Sequence, residues 1–143
     1  MSKYYIDTCI YLNLWKKEVR KGISLWKYTS DFFEKVEVTK GTIHYSGFIL
    51  KELSFQLTEK EFKKQIKIFS QNHFKKTFLS RQEYELARII EFETNFEISF
   101  FDIIHFLLAK KTNSILITRD KKLVSIAKQY NVEIGKPEDF IEN

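Results

Sequence analysis

An α/β fold built on a parallel sheet covered by helices on both faces is predicted by three features of the sequence. Short runs of β-branched and aromatic residues alternate along the chain with segments of helical period. Two of those runs end abruptly in an aspartate, Asp7 and Asp120. No low-complexity linker and no internal repeat interrupts the alternation. Strands that are each separated by a helix are joined by crossovers and so run parallel.

Lys3-Tyr4-Tyr5-Ile6 is the first strand; it stops at Asp7-Thr8-Cys9, and Ile10, Leu14 and Trp15 then set a helical period. Gly22 to Lys35, with Leu25, Trp26, Phe32 and Phe33, reads as a second helix. Tyr45-Ser46 leads into a helix on which Phe48, Glu52 and Phe55 share a face at i, i+4 and i+7. Thr58 and Glu61 form a capping box, and Phe62, Ile66 and Phe69 continue the helix it opens. Phe74 to Leu79 is the candidate third strand. Ser80 and Glu83 open the next helix, with Leu86, Ala87 and Ile90 as its inner face. Asp102 stands between Phe100-Phe101 and Ile103-Ile104 at the start of a helix that carries Phe106 at i+4. Ser114-Ile115-Leu116-Ile117 is a compact strand, and Thr118-Arg119-Asp120 after it opens a helix through Lys128. Val132-Glu133-Ile134 is the last short strand.

Four acids in this pattern point to chemistry: Asp7, Glu52, Asp102 and Asp120. In open α/β sheets the ligand crevice lies beyond the carboxyl ends of the strands, where strand order reverses, and Asp7 and Asp120 sit at such ends. Glu52 and Asp102 interrupt apolar helix faces, where a carboxylate is costly without a partner. Each has an ordinary explanation as well. Asp7 and Asp120 have the position of helix N-caps, Ser99-Phe100-Phe101-Asp102 has the form of a capping box, and Glu52 fits a solvated edge. Four such coincidences are less economical than one shared cause. Two carboxylates about 5 Å apart repel by roughly 3 kcal/mol at an effective dielectric near 20, so a cluster of four calls for a cation. Oxygen donors suit Mg²⁺ or Mn²⁺. Zinc is disfavoured, because the chain has one cysteine and three scattered histidines.

The same stretches carry a resemblance. Tyr5-Ile6-Asp7-Thr8, Tyr45-Ser46 with Lys51-Glu52-Leu53, Asp102-Ile103-Ile104-His105 with Ala109, Ile115-Leu116-Ile117-Thr118-Arg119-Asp120, and Lys136-Pro137-Glu138-Asp139-Phe140 together resemble the PIN-domain nucleases over nearly the whole chain. Among these, the chain is most similar to the single-domain VapC-type toxins of toxin-antitoxin pairs. The resemblance implies one domain over residues 1–143, a PIN-like three-layer α/β/α sandwich with a central parallel sheet of about five strands. It implies that Asp7, Glu52, Asp102 and Asp120 hold one or two divalent ions, with the Thr8 and Thr118 hydroxyls close to that centre. It implies an endoribonuclease that uses a metal-activated water and leaves 5′-phosphate and 3′-hydroxyl ends. The partners it implies are an RNA substrate, a cognate antitoxin protein and a second copy in a homodimer. A housekeeping nuclease of RNA maturation or DNA processing and a catalytically inert binding module are the alternatives; the intact acid set counts against the second.

Other residues have narrower expectations. His105, three residues after Asp102 on the same helical face, is expected to pack or to hydrogen-bond a ligand rather than bind the ion itself. Cys9 has no general base beside it and reads as a small buried residue. Arg119, Lys121 and Lys122 flank Asp120 and are placed to reach substrate phosphate.

Composition sets the class. A net charge of +5 over 143 residues favours a polyanionic partner. Hydrophobic content of 43% with 14 phenylalanines is ample for one core. The lone cysteine, the lack of a leader and the lack of a membrane-length apolar run predict a cytoplasmic protein with no membrane association.

Overall fold

The computed structural model describes residues 2–141. It is an α/β fold with a five-stranded parallel sheet and, among the described residues, seven α-helices. In chain order the elements are β1 (Lys3–Ile6), α1 (Thr8–Trp15), β2 (Val19–Arg20), β3 (Ile23–Ser24), α2 (Leu25–Val38), β4 (Thr42–Tyr45), α3 (Gly47–Gln56), α4 (Glu59–Gln65), β5 (Phe74–Lys76), α5 (Arg81–Glu93), α6 (Phe100–Lys111), β6 (Ile115–Ile117), α7 (Lys121–Gln129) and β7 (Ile134–Gly135). The large sheet has the order β5-β4-β1-β6-β7, and every pairing in it is parallel. The chain moves outward from β1 to β4 and β5, then returns across β1 to β6, so the strand order reverses beside β1. Asp7 ends β1, and Asp120 lies just beyond β6, the two strands on either side of that reversal.

Successive strand residues point to opposite faces, and β1 uses both for packing. Tyr4 meets Phe32 of α2 edge-on at 5.0 Å. Tyr5 meets His105 of α6 on the other side, with ring centroids 5.5 Å apart. Helices α2 and α6 therefore cover the two faces of the sheet. The middle of α6 is sealed, with every residue from Ile103 to Ala109 buried, as expected for a helix lying across a sheet flanked by further helices.

Several boundaries and one helix phase differ from the sequence-based expectation. The segment read as a helix from Gly22 begins instead with the hairpin of β2 and β3, and α2 starts at Leu25. Its two-residue loop holds Lys21 at φ 51° and Gly22 at φ 77°, the left-handed pair that a tight hairpin requires and that glycine accommodates without strain. The strand β4, which the sequence left undelimited, pairs directly with β1. β5 is shorter than Phe74 to Leu79, and the last strand is Ile134–Gly135 rather than residues 132–134. The capping boxes at Thr58 and Ser80 form, but α4 tightens into a 3₁₀ turn over Ile66–Ser70. Of the inner face expected for α5, Ala87 and Ile90 are buried while Leu86 is exposed. On α3 the buried stripe is Ile49 and Leu53, not Phe48 and Phe55. Consequently Glu52 stands on the flank of that helix, half-buried, and Phe55 faces solvent.

Candidate metal centre

Local structure explains how each acid arrives. Asp7 caps α1: its Oδ1 accepts the Thr8 amide at 2.8 Å, and its own amide donates to the Ile117 carbonyl at 2.9 Å, which ties the end of β1 to β6. Asp120 caps α7 by accepting the Lys122 amide at 2.9 Å. Asp102 lies in the first turn of α6, where Ser99 is the N-cap and accepts the Asp102 amide at 3.2 Å. The capping explanations are therefore correct for both Asp7 and Asp120, yet capping occupies only part of each carboxylate's accepting capacity.

All four carboxylates line a single cleft of about 670 Å³ at the C-terminal edge of the sheet. Asp7 is buried, and the other three are half-buried. Two threonine hydroxyls connect the acids. Thr118 donates to Asp7 Oδ2 at 2.7 Å and accepts the Asp120 amide at 3.1 Å, while Thr8 donates to Glu52 Oε1 at 2.8 Å. Behind them runs a buried polar chain. Ser46 Oγ and Tyr5 Oη are 2.7 Å apart, Tyr5 Oη lies 2.8 Å from His105 Nδ1, and His105 Nε2 lies 2.5 Å from Glu52 Oε1.

The electrostatics follow from this crowding. Burial and the neighbouring Asp7 charge push the Asp102 carboxyl up to about 6. Burial disfavours the His105 cation, but the Glu52 carboxylate bonded to it, with Asp7 and Asp102 nearby, outweighs burial and raises its pKa. Burial also pushes the Cys9 thiol far above the ordinary range, reinforced by the Asp7 charge, so it stays protonated and is no nucleophile.

Ligand atoms of Asp7, Glu52 and His105 all lie within 4.8 Å of one another, a group able to hold a metal ion. Both ring nitrogens of His105 are already engaged, one by Tyr5 and one by Glu52. The imidazole therefore acts as a brace for the Glu52 carboxylate. Asp102 and Asp120 line the same cleft outside that close group, and carboxylate oxygens with the Asp102 carboxyl pushed up by a neighbouring charge suit a hard divalent cation that would relieve the repulsion.

The bracing chain has a measurable cost. Tyr5→Phe removes the hydroxyl shared by Ser46 and His105, leaving both without that partner in a buried setting. It is expected to lower the unfolding free energy by about 1–2 kcal/mol in urea titration, with a far smaller effect from Tyr45→Phe, whose ring is only half-buried.

The basic residues around Asp120 divide into two kinds. Lys121 and Lys122 are exposed. Arg119 lines the cleft but is turned to internal partners: its Nε donates to Asn13 at 2.9 Å and its Nη1 pairs with Glu138 at 2.9 Å. Those two contacts tie α1 to the 3₁₀ turn Pro137–Phe140, while Arg119 Nη2 is buried with no hydrogen-bond partner among the described residues. Two further cleft residues, Arg20 and Phe55, were not singled out as site residues from sequence. The position of Arg20 depends on the β2–β3 hairpin, whose Lys-Gly loop is a weaker signal than Asn-Gly.

Comparison with known proteins fits this geometry. No curated protein sequence matches the chain. Among solved structures, a chain of VapBC2 from Rickettsia felis, bound to a DNA fragment from their promoter, superposes with a TM-score of 0.66 at 17% identity, covering 94% of this chain and 98% of that one. FitAcB from Neisseria gonorrhoeae gives 0.61 at 14% identity, with 94% and 97% covered. The Mycobacterium tuberculosis toxin VapC20, which cleaves the sarcin-ricin loop, gives 0.64 at 15% identity, with 86% and 94% covered. At these identities the likeness is one of fold. Residues 4–129, which include all four acids and run from within β1 to the end of α7, match the PIN domain, and the chain belongs to that family.

Proposed function

We propose that this chain is a divalent-metal-dependent endoribonuclease of the VapC toxin type, with Asp7, Glu52, Asp102 and Asp120 as the residues that hold Mg²⁺ or Mn²⁺. The observation that carries the reading is the convergence of four carboxylates from separate elements on one cleft at the sheet's reversal point. When bound, one or two such ions supply Lewis-acid activation of water and offset charge at the phosphate. The chain's own residues keep the carboxylates aligned: Thr118 fixes Asp7, while Thr8 and His105 together fix Glu52. Lys121 and Lys122, exposed at the start of α7 beside Asp120, attract the phosphate backbone toward the acids. The net charge of +5 suits RNA as the polyanion.

VapC20 is described as a sarcin-ricin loop cleaving toxin, and VapBC2 was crystallised on promoter DNA. On that likeness the partners of this chain are an RNA substrate and an antitoxin protein. Among the described residues no helix is long and apolar enough to cross a membrane.

The test is cleavage of a mixed pool of single-stranded and structured RNA by the protein and by Asp102→Asn, each with Mg²⁺, Mn²⁺ or excess chelator. Cutting that needs metal, leaves 5′-phosphate ends and vanishes in the variant is the expected outcome. An absence of cutting under every condition, with no heat of metal binding, would replace this reading by that of a binding module.

A further inference from the structure

Two side chains in the cleft have no part in holding a cation. Arg20 ends β2, is exposed, and lines the cleft. Among the described residues, no carboxylate, carbonyl or ring accepts its guanidinium. Phe55 stands on the last turn of α3, lines the same cleft and is 71% exposed.

The other phenylalanines of the cleft are occupied. Phe101 meets Phe48 edge-on at 5.5 Å. Phe100 has the Arg88 guanidinium 3.7 Å from its ring centroid and Tyr84 at 5.0 Å. Phe55 has neither a ring nor a cation against it among the described residues. Phe78, Phe92 and Phe96 are as exposed, but Phe55 lines the cleft of the four acids, which leaves an open phenyl face beside their carboxylates.

We propose that Phe55 is the stacking platform for an unpaired base next to the cleaved bond and that Arg20 clamps an adjacent phosphate. The inference rests on the nuclease reading and names two residues of this chain that grip the substrate beside the acids. Every nucleobase has a π-face, so a phenyl platform binds one without regard to sequence, and a guanidinium matches phosphate with two parallel hydrogen bonds. Within a duplex both base faces are covered by neighbouring base pairs, so contact with Phe55 requires the base to lie outside the helix. Arg20 answers the electrostatic difficulty of bringing phosphate to four carboxylates: it adds positive charge inside the cleft from a hairpin that carries none of those acids. Gln56, exposed next to Phe55 in the cleft, puts an amide within the same neighbourhood.

The experiment has a binding arm and a cleavage arm. Affinity for a fluorescein-labelled single-stranded RNA is measured by anisotropy in chelator, where no turnover occurs, for the wild type, Phe55→Ala, Phe55→Leu, Phe55→Trp and Arg20→Ala. The same strand annealed to its complement is the control. The expected result is a loss of about 5- to 100-fold for Phe55→Ala and for Phe55→Leu, retention in Phe55→Trp, and weaker binding of the duplex by at least about tenfold. Arg20→Ala should weaken binding and make it less dependent on salt, by about one ion in the slope. Melting temperatures should not move, because both side chains are exposed. Wild-type affinity in Phe55→Ala or Phe55→Leu, or equal affinity for duplex and single strand, overturns the proposal. The cleavage arm, with Mn²⁺ restored, should show the same variants raising KM more than they lower kcat. Failure of the wild type to cut RNA that it binds through Phe55 overturns the nuclease reading and the placement beside a cleaved bond, and keeps Phe55 and Arg20 as RNA-binding residues.

Discussion

Asp7→Asn is expected to lower the kcat of metal-dependent RNA cleavage by about three orders of magnitude, which corresponds to roughly 4 kcal/mol of lost stabilisation in the transition state. Asparagine keeps the shape of the side chain and one oxygen, which can still accept the Thr8 amide, while its NH2 takes the place of Oδ2 and can donate to the Thr118 hydroxyl oxygen. The fold should therefore survive. What is lost is a full negative charge at the buried floor of the cleft, where the low local dielectric makes the attraction for a cation strongest. Steady-state kinetics and calorimetric Mn²⁺ titration on the same preparation check the claim. The cleavage rate and the heat of metal binding should fall together, while the melting temperature in chelator stays within a few degrees of the wild type.

Asp102→Asn should have opposite effects with and without metal. In the free protein the Asp102 carboxyl is held up at about 6 by burial and by Asp7, above its unfolded value near 4. A raised folded pKa means that the linked stability is fully present below the unfolded value and is lost as pH rises through about 6. Above that pH the wild type carries the ionised group at a cost of up to roughly 3 kcal/mol, reduced to about 1–2 kcal/mol by solvent screening at this half-buried site. Asparagine avoids this cost. Thermal unfolding in chelator should thus show the variant more stable than the wild type at pH 7.5, with the difference shrinking to nothing below about pH 4. With metal at a hundred times its Kd, the wild type should gain about 2.7 kcal/mol and the variant far less. The order of stability then reverses. A variant that is less stable than the wild type in chelator at pH 7.5 would contradict the picture of a repelling carboxylate cluster.

The legible part of the site was its acids. Asp7 and Asp120 stand where strands give way to helices, and Asp102 is followed by Ile103 and Ile104, which the core absorbs; such positions show in sequence as a period broken by a charge. Glu52 was reached with the wrong helix phase. The true inner face is Ile49 and Leu53, and Phe48 and Phe55 matched the same spacing because α3 is apolar on more than one side. The supporting chain was legible only in part. His105 lies three residues from Asp102, but the Tyr5–Ser46 bond spans 41 residues and the Tyr5–His105 bond 100, so those pairings exist only once the sheet is assembled. Arg119 illustrates the converse. Its neighbour Asp120 points to a role at the phosphate, and only the assembled fold shows that Nε and Nη1 are bonded to Asn13 and Glu138, 106 and 19 residues away. Arg20 depends on a hairpin with two left-handed residues, one of them a lysine, whose second strand falls inside the helix that the pattern predicts from Gly22.

Anomalous diffraction from a crystal of this protein soaked in Mn²⁺ tests the central claim most directly. The account predicts a Mn²⁺ peak in the cleft bounded by Asp7, Glu52, Asp102 and Asp120, with carboxylate oxygens of Asp7 among its ligands and His105 still bonded to Glu52 rather than to the ion. A cleft without a peak at saturating Mn²⁺, or an ion held at His105 with Asp102 and Asp120 turned away, would contradict it.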